Sequence, residues 1–134
     1  MSEAEVQSRI MMEAAKYNIV LTRNNVGAGQ FVDDETGNKS FVRFGLWNDS
    51  PKRNKVFKSS DLVGVWTQNY FDAQMNMVTV ANWVVVEIKK EGWKYTGTPR
   101  EKAQLAFLNF MKSRGAYAGF AASVDDFRRL IGQL

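Results

Sequence analysis

The chain of 134 residues has no cysteine and no histidine. Without cysteine there is no disulfide framework, no thiolate zinc site and no cysteine nucleophile. Without histidine there is no Ser-His triad, no histidine-based phosphoryl chemistry and no basis for most zinc enzymes. Long apolar runs are also missing: the longest, around Trp83–Val86, is far too short to span a bilayer. The opening MSEAEVQSR is polar and acidic, so no signal peptide is expected and the expected location is the cytoplasm. An enzyme built from what remains must work with carboxylates, lysine and a hard cation such as Mg²⁺ held by oxygen ligands.

What is present fits a single domain over residues 1–134, large enough to bury its own core. The formal charge is +4 and the pI is near 9.4, a basic bias that permits nucleic-acid binding without proving it. No repeat, low-complexity tract or linker divides the chain.

Ser2 to about Tyr17 reads as a helix, with Val6, Ile10 and Ala14 on one face and a Ser2/Glu5 capping box. Ile19–Arg23 is a short strand. Asn25–Asn38, with three glycines and an acidic run, reads as a loop. Ser40–Phe44 is a second strand, and the basic segment Trp47–Lys58 reads as an exposed loop. Leu62–Trp66 is a strand, Thr67–Met77 a hairpin excursion, and Val78–Lys89 the strongest strand signal. Thr98, Pro99 and Glu101 open a helix that ends near Arg114, with Gly115 as its stop. Tyr117–Ala122 is a strand, and Ser123 caps a last helix through about Leu130. The order predicts an α/β fold with a mixed sheet flanked by helices.

The segment VVVEIKK carries the chemistry. Side chains alternate along a strand, so Glu87 and Lys89 share one face while Val84, Val86 and Ile88 take the other. Asp61 stands at the start of an earlier strand. If the two strands are neighbours, Asp61 and Glu87 can hold one cation. Taken alone, Glu-x-Lys is also common charge decoration, and an Asp before a strand is commonly a turn residue.

In chain order SEAEVQSRI, RNNVGAG, VRFGL, SSDLVGV, VVVEIKK and KAQLAFLNFMKSRGAYAGFAAS resemble the VRR-NUC branch of the PD-(D/E)XK nucleases over nearly the whole length. That resemblance implies a restriction-endonuclease-like αβββαβ core and a Mg²⁺-dependent endonuclease, with Mn²⁺ as a substitute. It implies catalytic roles for Asp61, Glu87, Lys89, Gln104 and Glu3, and a metal site involving Asp61, Glu87, Ile88 and Glu3. Of the first-helix acids, Glu5 is occupied by its cap and Glu13 reads as a solvated charge. Glu3 also fits an ordinary first-turn acid, and Gln104 an ordinary surface glutamine. Two departures from the compact family pattern are a Lys/Arg-rich insertion between Gly45 and Asp61 and a long hairpin between Trp66 and Val84.

Arg23, Asn24, Asn25, Lys52, Arg53, Lys55, Lys58 and Lys90 are candidate DNA contacts, against the plainer reading of polar turns and a solvated loop. Phe107 and Phe110 read as core or subunit interface. The resemblance further implies a homodimer acting on branched DNA such as Holliday junctions. A flap or nicking nuclease, a non-catalytic DNA-binding domain and an RNA-directed enzyme are the alternatives.

Overall fold

The computed structural model describes residues 1–134. The elements in order are α1 (Glu3–Lys16), β1 (Ile19–Arg23), β2 (Gly27–Val32), β3 (Lys39–Phe44), α2 (Pro51–Val56), β4 (Leu62–Phe71), β5 (Met77–Ile88), α3 (Pro99–Ser113), β6 (Tyr117–Ala121) and α4 (Val124–Leu130). A four-stranded sheet has the order β1-β4-β5-β6, and β2 and β3 form a separate two-stranded sheet. Strand β4 runs antiparallel to both β1 and β5, while β6 lies parallel to β5 after the α3 crossover. The fold is α/β with a mixed sheet and flanking helices. No helix is long and apolar enough to cross a membrane.

The alternation along β5 divides the core into two layers. Val84, Val86 and Ile88 pack with Val6 and Ile10 of α1 and Phe127 of α4. Val85 points the other way, against Phe107 and Leu108 of α3. Each fully buried Val, Ile or Leu contributes roughly 1.5–3 kcal/mol, so the strand that carries Glu87 is held firmly from both sides. The helix starts follow their local signals: capping boxes form at Ser2/Glu5 and Thr98/Glu101.

Three expectations need correction. Residues 25–38 are not a loop: Gly27–Val32 forms β2, paired from Gly27↔Phe44 to Val32↔Lys39. The segment 47–58 is not an open loop either. Ser50 caps α2 through the Arg53 amide, with Pro51 at the first turn, and Trp47 packs edge-on against Phe57, Phe107 and Phe110 at ring distances of 5.0–5.1 Å. The hairpin expected after Trp66 is present, with β4 and β5 paired out to Phe71↔Met77. Finally, Glu13 is buried rather than solvated. It accepts from Arg128 Nε at 3.0 Å and pairs with Lys16 Nζ at 3.0 Å, which ties α1 to α4 and holds its carboxyl below the usual carboxylate range.

Glu101 has a larger task than its cap. Its carboxylate accepts from Trp93 Nε1 (2.9 Å), the Thr98 amide (3.0 Å), Thr96 Oγ1 (3.0 Å) and the Thr96 amide (3.2 Å). These bonds fix the loop between β5 and α3 and hold the carboxyl down at about 2, chiefly through the Thr98 amide. A carboxyl depressed in the folded state stabilises above its unfolded value near 4.5 and loses that contribution as pH falls towards about 2. Glu101→Gln is therefore expected to lower Tm at neutral pH and to flatten the fall in Tm between pH 4.5 and 2. Thermal melts across that range check it; an unchanged acid limb would place the sensitivity elsewhere.

Candidate active site

Strand β4 neighbours β5, with Leu62 opposite Val86. One step before that pair, Asp61 stands across from Glu87. The Asp61 position is fixed by main-chain bonds: its carbonyl accepts from the Asn24 amide at 2.8 Å, and its Oδ2 accepts from the Ile88 amide at 2.9 Å. Asn24 also donates through Nδ2 to Ser59 Oγ and to the Ser60 carbonyl, both at 2.8 Å. The turn into β4 is thus bolted to the end of β1.

Glu87 is on the α3 face of β5 and is only 5% exposed. Burial, followed by the charge of Asp61 and a hydrogen bond to it, pushes the Glu87 carboxyl up to about 9. Gln104 is 2% exposed and spends both ends of its amide. Nε2 donates to Glu87 Oε1 at 3.0 Å, and Oε1 accepts from Lys89 Nζ at 2.9 Å. The result is a continuous chain from Lys89 through Gln104 and Glu87 to Asp61 and the Ile88 amide. Gln104 is therefore a connector inside the site and not a surface glutamine.

Lys89 stands behind Gln104 and does not line the cleft that reaches Asp61 and Glu87. Its ammonium lies 5.2 Å from the Trp93 ring and 5.7 Å from Phe120. Trp93 is itself held by Glu101 and packs tilted against Phe120, with ring centroids 4.8 Å apart. Cation–π attraction of this kind helps keep a nearly buried lysine in place.

The cleft has a volume of about 370 Å³ and is mostly polar. Its floor is Asp61, Glu87 and Gln104. The β2–β3 hairpin supplies one wall through Gly27, Ala28 and Arg43, and Lys58 and Arg100 supply cations beside the carboxylates. The hairpin wall is anchored by Asn48, 4% exposed, which donates to the Gly27 and Phe44 carbonyls at 2.7 and 3.0 Å. Arg43 is fastened to the same residue, at 2.8 Å to its carbonyl and 2.6 Å to Oδ1.

A second recess is bordered by Glu3, Gln7, Arg23, Asp61 and Ile88. Glu3 thus lies beside Asp61 and Ile88, although it does not join Asp61 and Glu87 in a cluster of three carboxylates. Asn24, not the exposed Asn25, lines the main cleft. Lys52 and Arg53 belong to a different surface around Trp47 and Phe110, with the Arg53 guanidinium 4.8 Å from the Trp47 ring. Lys55 and Lys90 are exposed. Arg100 was not among the sequence candidates. Its only local signal was its place in the first turn of α3, and the long-range packing that brings it to the cleft is not visible there.

Two adjacent carboxylates, Glu87 buried and Asp61 half-buried, the first raised to about 9, are a pair that could hold a hard divalent cation. A 2+ charge between them would let both ionise, and oxygen ligands are what Mg²⁺ and Mn²⁺ prefer. Comparison with known protein families, curated proteins and solved structures finds no match for the chain.

Proposed function

We propose that the chain is a Mg²⁺-dependent endodeoxyribonuclease, with Mn²⁺ as a substitute, of restriction-endonuclease-like architecture and VRR-NUC type. The observation that carries this reading is the Asp61–Glu87–Gln104–Lys89 chain at the floor of a polar cleft walled by cations. The order α1, β1, β4, β5, α3, β6 around the main sheet supports the αβββαβ core. Asp61 and Glu87 would hold the metal, which when bound acidifies a water and offsets charge on the scissile phosphate. Gln104 keeps the Glu87 carboxylate aimed and transmits the position of Lys89. The positive charge of Lys89 favours the ionised form of Glu87.

The Glu87 carboxyl is buried at the floor, so a phosphate must leave a regular duplex contour to approach it. That favours DNA whose strands are already splayed, such as a four-way junction, over continuous duplex. A homodimer belongs to the same reading, because opposed incisions need two sites related by a twofold axis. Exposed Phe71, Met75, Met77 and Val78 on the β4–β5 ribbon supply apolar surface for such a contact.

The test is cleavage of labelled duplex, flap, fork and four-way DNA with and without Mg²⁺, alongside sedimentation of the free protein. Mg²⁺-dependent cutting, best on the junction and by a dimer, is expected. No cutting of any substrate with Mg²⁺ or Mn²⁺ would overturn the enzyme reading, and cutting of flaps alone by a monomer would replace the junction preference.

Lys89→Met is expected to move the rising limb of the cleavage pH profile upward. Losing the neighbouring positive charge makes Glu87 harder to ionise, and at pH 7 this costs about tenfold in rate for each pH unit of movement. A lower rate with an unmoved limb would assign Lys89 a purely structural part.

A further inference from the structure

We infer that Lys58 and Arg100 form a phosphate-binding subsite that grips the nucleic-acid strand next to the phosphate presented to Asp61 and Glu87. This rests on the proposed nuclease reading of the two carboxylates.

The two cations reach one cleft from different elements. Lys58 follows α2, and its amide donates to the Ala103 carbonyl of α3 at 3.0 Å. That bond seats the end of α2 against α3. Arg100 stands in the first turn of α3. Both line the cleft that holds Asp61, Glu87 and Gln104.

Neither cation is within ion-pair distance of a carboxylate, whereas Arg53, Arg128 and Arg129 all are. Lys58 Nζ makes one bond, to Asn54 Oδ1 at 2.6 Å, and Arg100 makes no side-chain hydrogen bond. Partial burial and the nearby charge of Arg100 hold the Lys58 amine below its ordinary value. Two like charges facing each other in a partly dry cleft are unfavourable until an anion enters between them. Arg43, the third cation of the cleft, is already committed to Asn48.

A phosphodiester suits this vacancy of charge. It offers two anionic oxygens to a lysine and a guanidinium, both of which bind phosphate well. The basic segment 47–58 therefore divides in two. Lys58 turns inward to the strand path, while Lys52 and Arg53 border a different surface.

The experiment measures binding of a fluorescein-labelled eight-residue oligothymidylate in Ca²⁺, across a salt series. The proteins are wild type, Arg100→Gln, Lys58→Gln with Arg100→Gln, Lys58→Arg, and the triple Lys52→Gln, Arg53→Gln, Lys55→Gln. The double variant is expected to bind roughly a hundredfold more weakly, about tenfold for each charge-assisted contact. Its log–log salt slope should shrink by about 1.4, two contacts at about 0.7 each on a single strand. Arg100→Gln, which breaks no contact within the protein, should show about half of the slope change while its Tm stays at the wild-type value. Lys58→Arg should bind like wild type, since it keeps the charge.

Binding of the double variant equal to wild type, no binding by wild type itself, or a larger loss in the triple than in the double would overturn the subsite. Cleavage in Mg²⁺ is scored separately. Lys58- and Arg100-dependent binding without any cleavage keeps the subsite and removes the nuclease reading. Cleavage with unaltered binding in the double variant does the reverse.

Discussion

Glu87→Gln is expected to abolish Mg²⁺-dependent cleavage and, in the absence of metal, to raise Tm at pH 8. The same substitution moves the two measurements in opposite directions because the folded protein holds Glu87 in its protonated form. A carboxyl whose value rises on folding retains a proton that the unfolded chain releases. Stability is therefore lost steadily as pH rises from about 4.5 towards about 9. The amide of glutamine is isosteric with the neutral acid. Its oxygen can accept from Gln104 Nε2 and its N–H₂ can donate towards Asp61, so the hydrogen-bond chain survives while the ionisation cost disappears.

A third of the displacement from 4.5 to about 9 corresponds to about 2 kcal/mol, or roughly 5–10 °C in Tm for a domain of this size. The lost carboxylate, by contrast, removes one of the two ligands proposed for the cation, and cleavage should fall by at least about a thousandfold. Asp61→Ala should be equally inactive without the gain in Tm, because it strips the Ile88 amide of its partner. Mg²⁺ affinity of the wild type should climb with pH up to about 9, since binding must displace the Glu87 proton. Wild-type cleavage by Glu87→Gln would remove the carboxylate pair from the mechanism. A fall in Tm at pH 8 would remove the buried proton.

The largest expected effect on the fold comes from a single methyl group. Gly64 pairs with Leu21 across β1 and β4. A Cβ built there would lie 1.8 Å from the Val20 carbonyl oxygen and 2.8 Å from its carbon. Both are main-chain atoms, so no rotamer change can make room, and β1 itself must shift. β1 carries Ile19 into the α1 layer, and the Asn24 amide just beyond it fixes Asp61. Gly64→Ala should therefore cost about 3 kcal/mol and should loosen Asp61 as well. Urea unfolding measures the first effect. A midpoint equal to wild type would show that the two strands tolerate separation at this step.

The parts of the fold that were legible in the sequence are those set by local chemistry. Ser2 with Glu5, and Thr98 with Pro99 and Glu101, announce helix starts that the structure places at Glu3 and Pro99. The valine run of β5 announces a strand buried on both faces, and its alternation puts Glu87 and Lys89 on one side. What was not legible depends on partners distant in the chain. Glu13 looks like any helix-surface acid until Arg128, 115 residues away, is folded against it. Gly27 and Gly29 gave β2 the composition of a loop, although its pairing partner lies just beyond the turn. Ser50 and Pro51 were helix-start signals in plain view, outweighed by the density of Lys and Arg around them. Within the site, Asp61, Glu87 and Gln104 were named from pattern and resemblance, but the role of Gln104 as a bridge between Glu87 and Lys89 is a property of packing. Arg100 could not be singled out at all, because nothing in a first helical turn says which cleft it faces.

Beyond Thr67 and Trp83, strands β4 and β5 pair only with each other, since the β1 pairing ends at Ile19 opposite Trp66 and β6 begins opposite Val84. One continuous strand thus passes from a two-stranded arm, exposed on both faces, into a blade buried in the core. Free energy of opening should change abruptly along it. Amides such as those of Asn69 and Thr79 should exchange with deuterium by local fraying, with little dependence on global stability. Those of Val85 and Val86 should exchange only when the whole domain unfolds. The base of the arm, where Gln68 Oε1 accepts from Asn82 at 2.7 Å and from Tyr117 at 3.2 Å, is where protection should step up. An arm that opens on its own gives the domain a movable limb rooted in the same strand that holds Glu87 still.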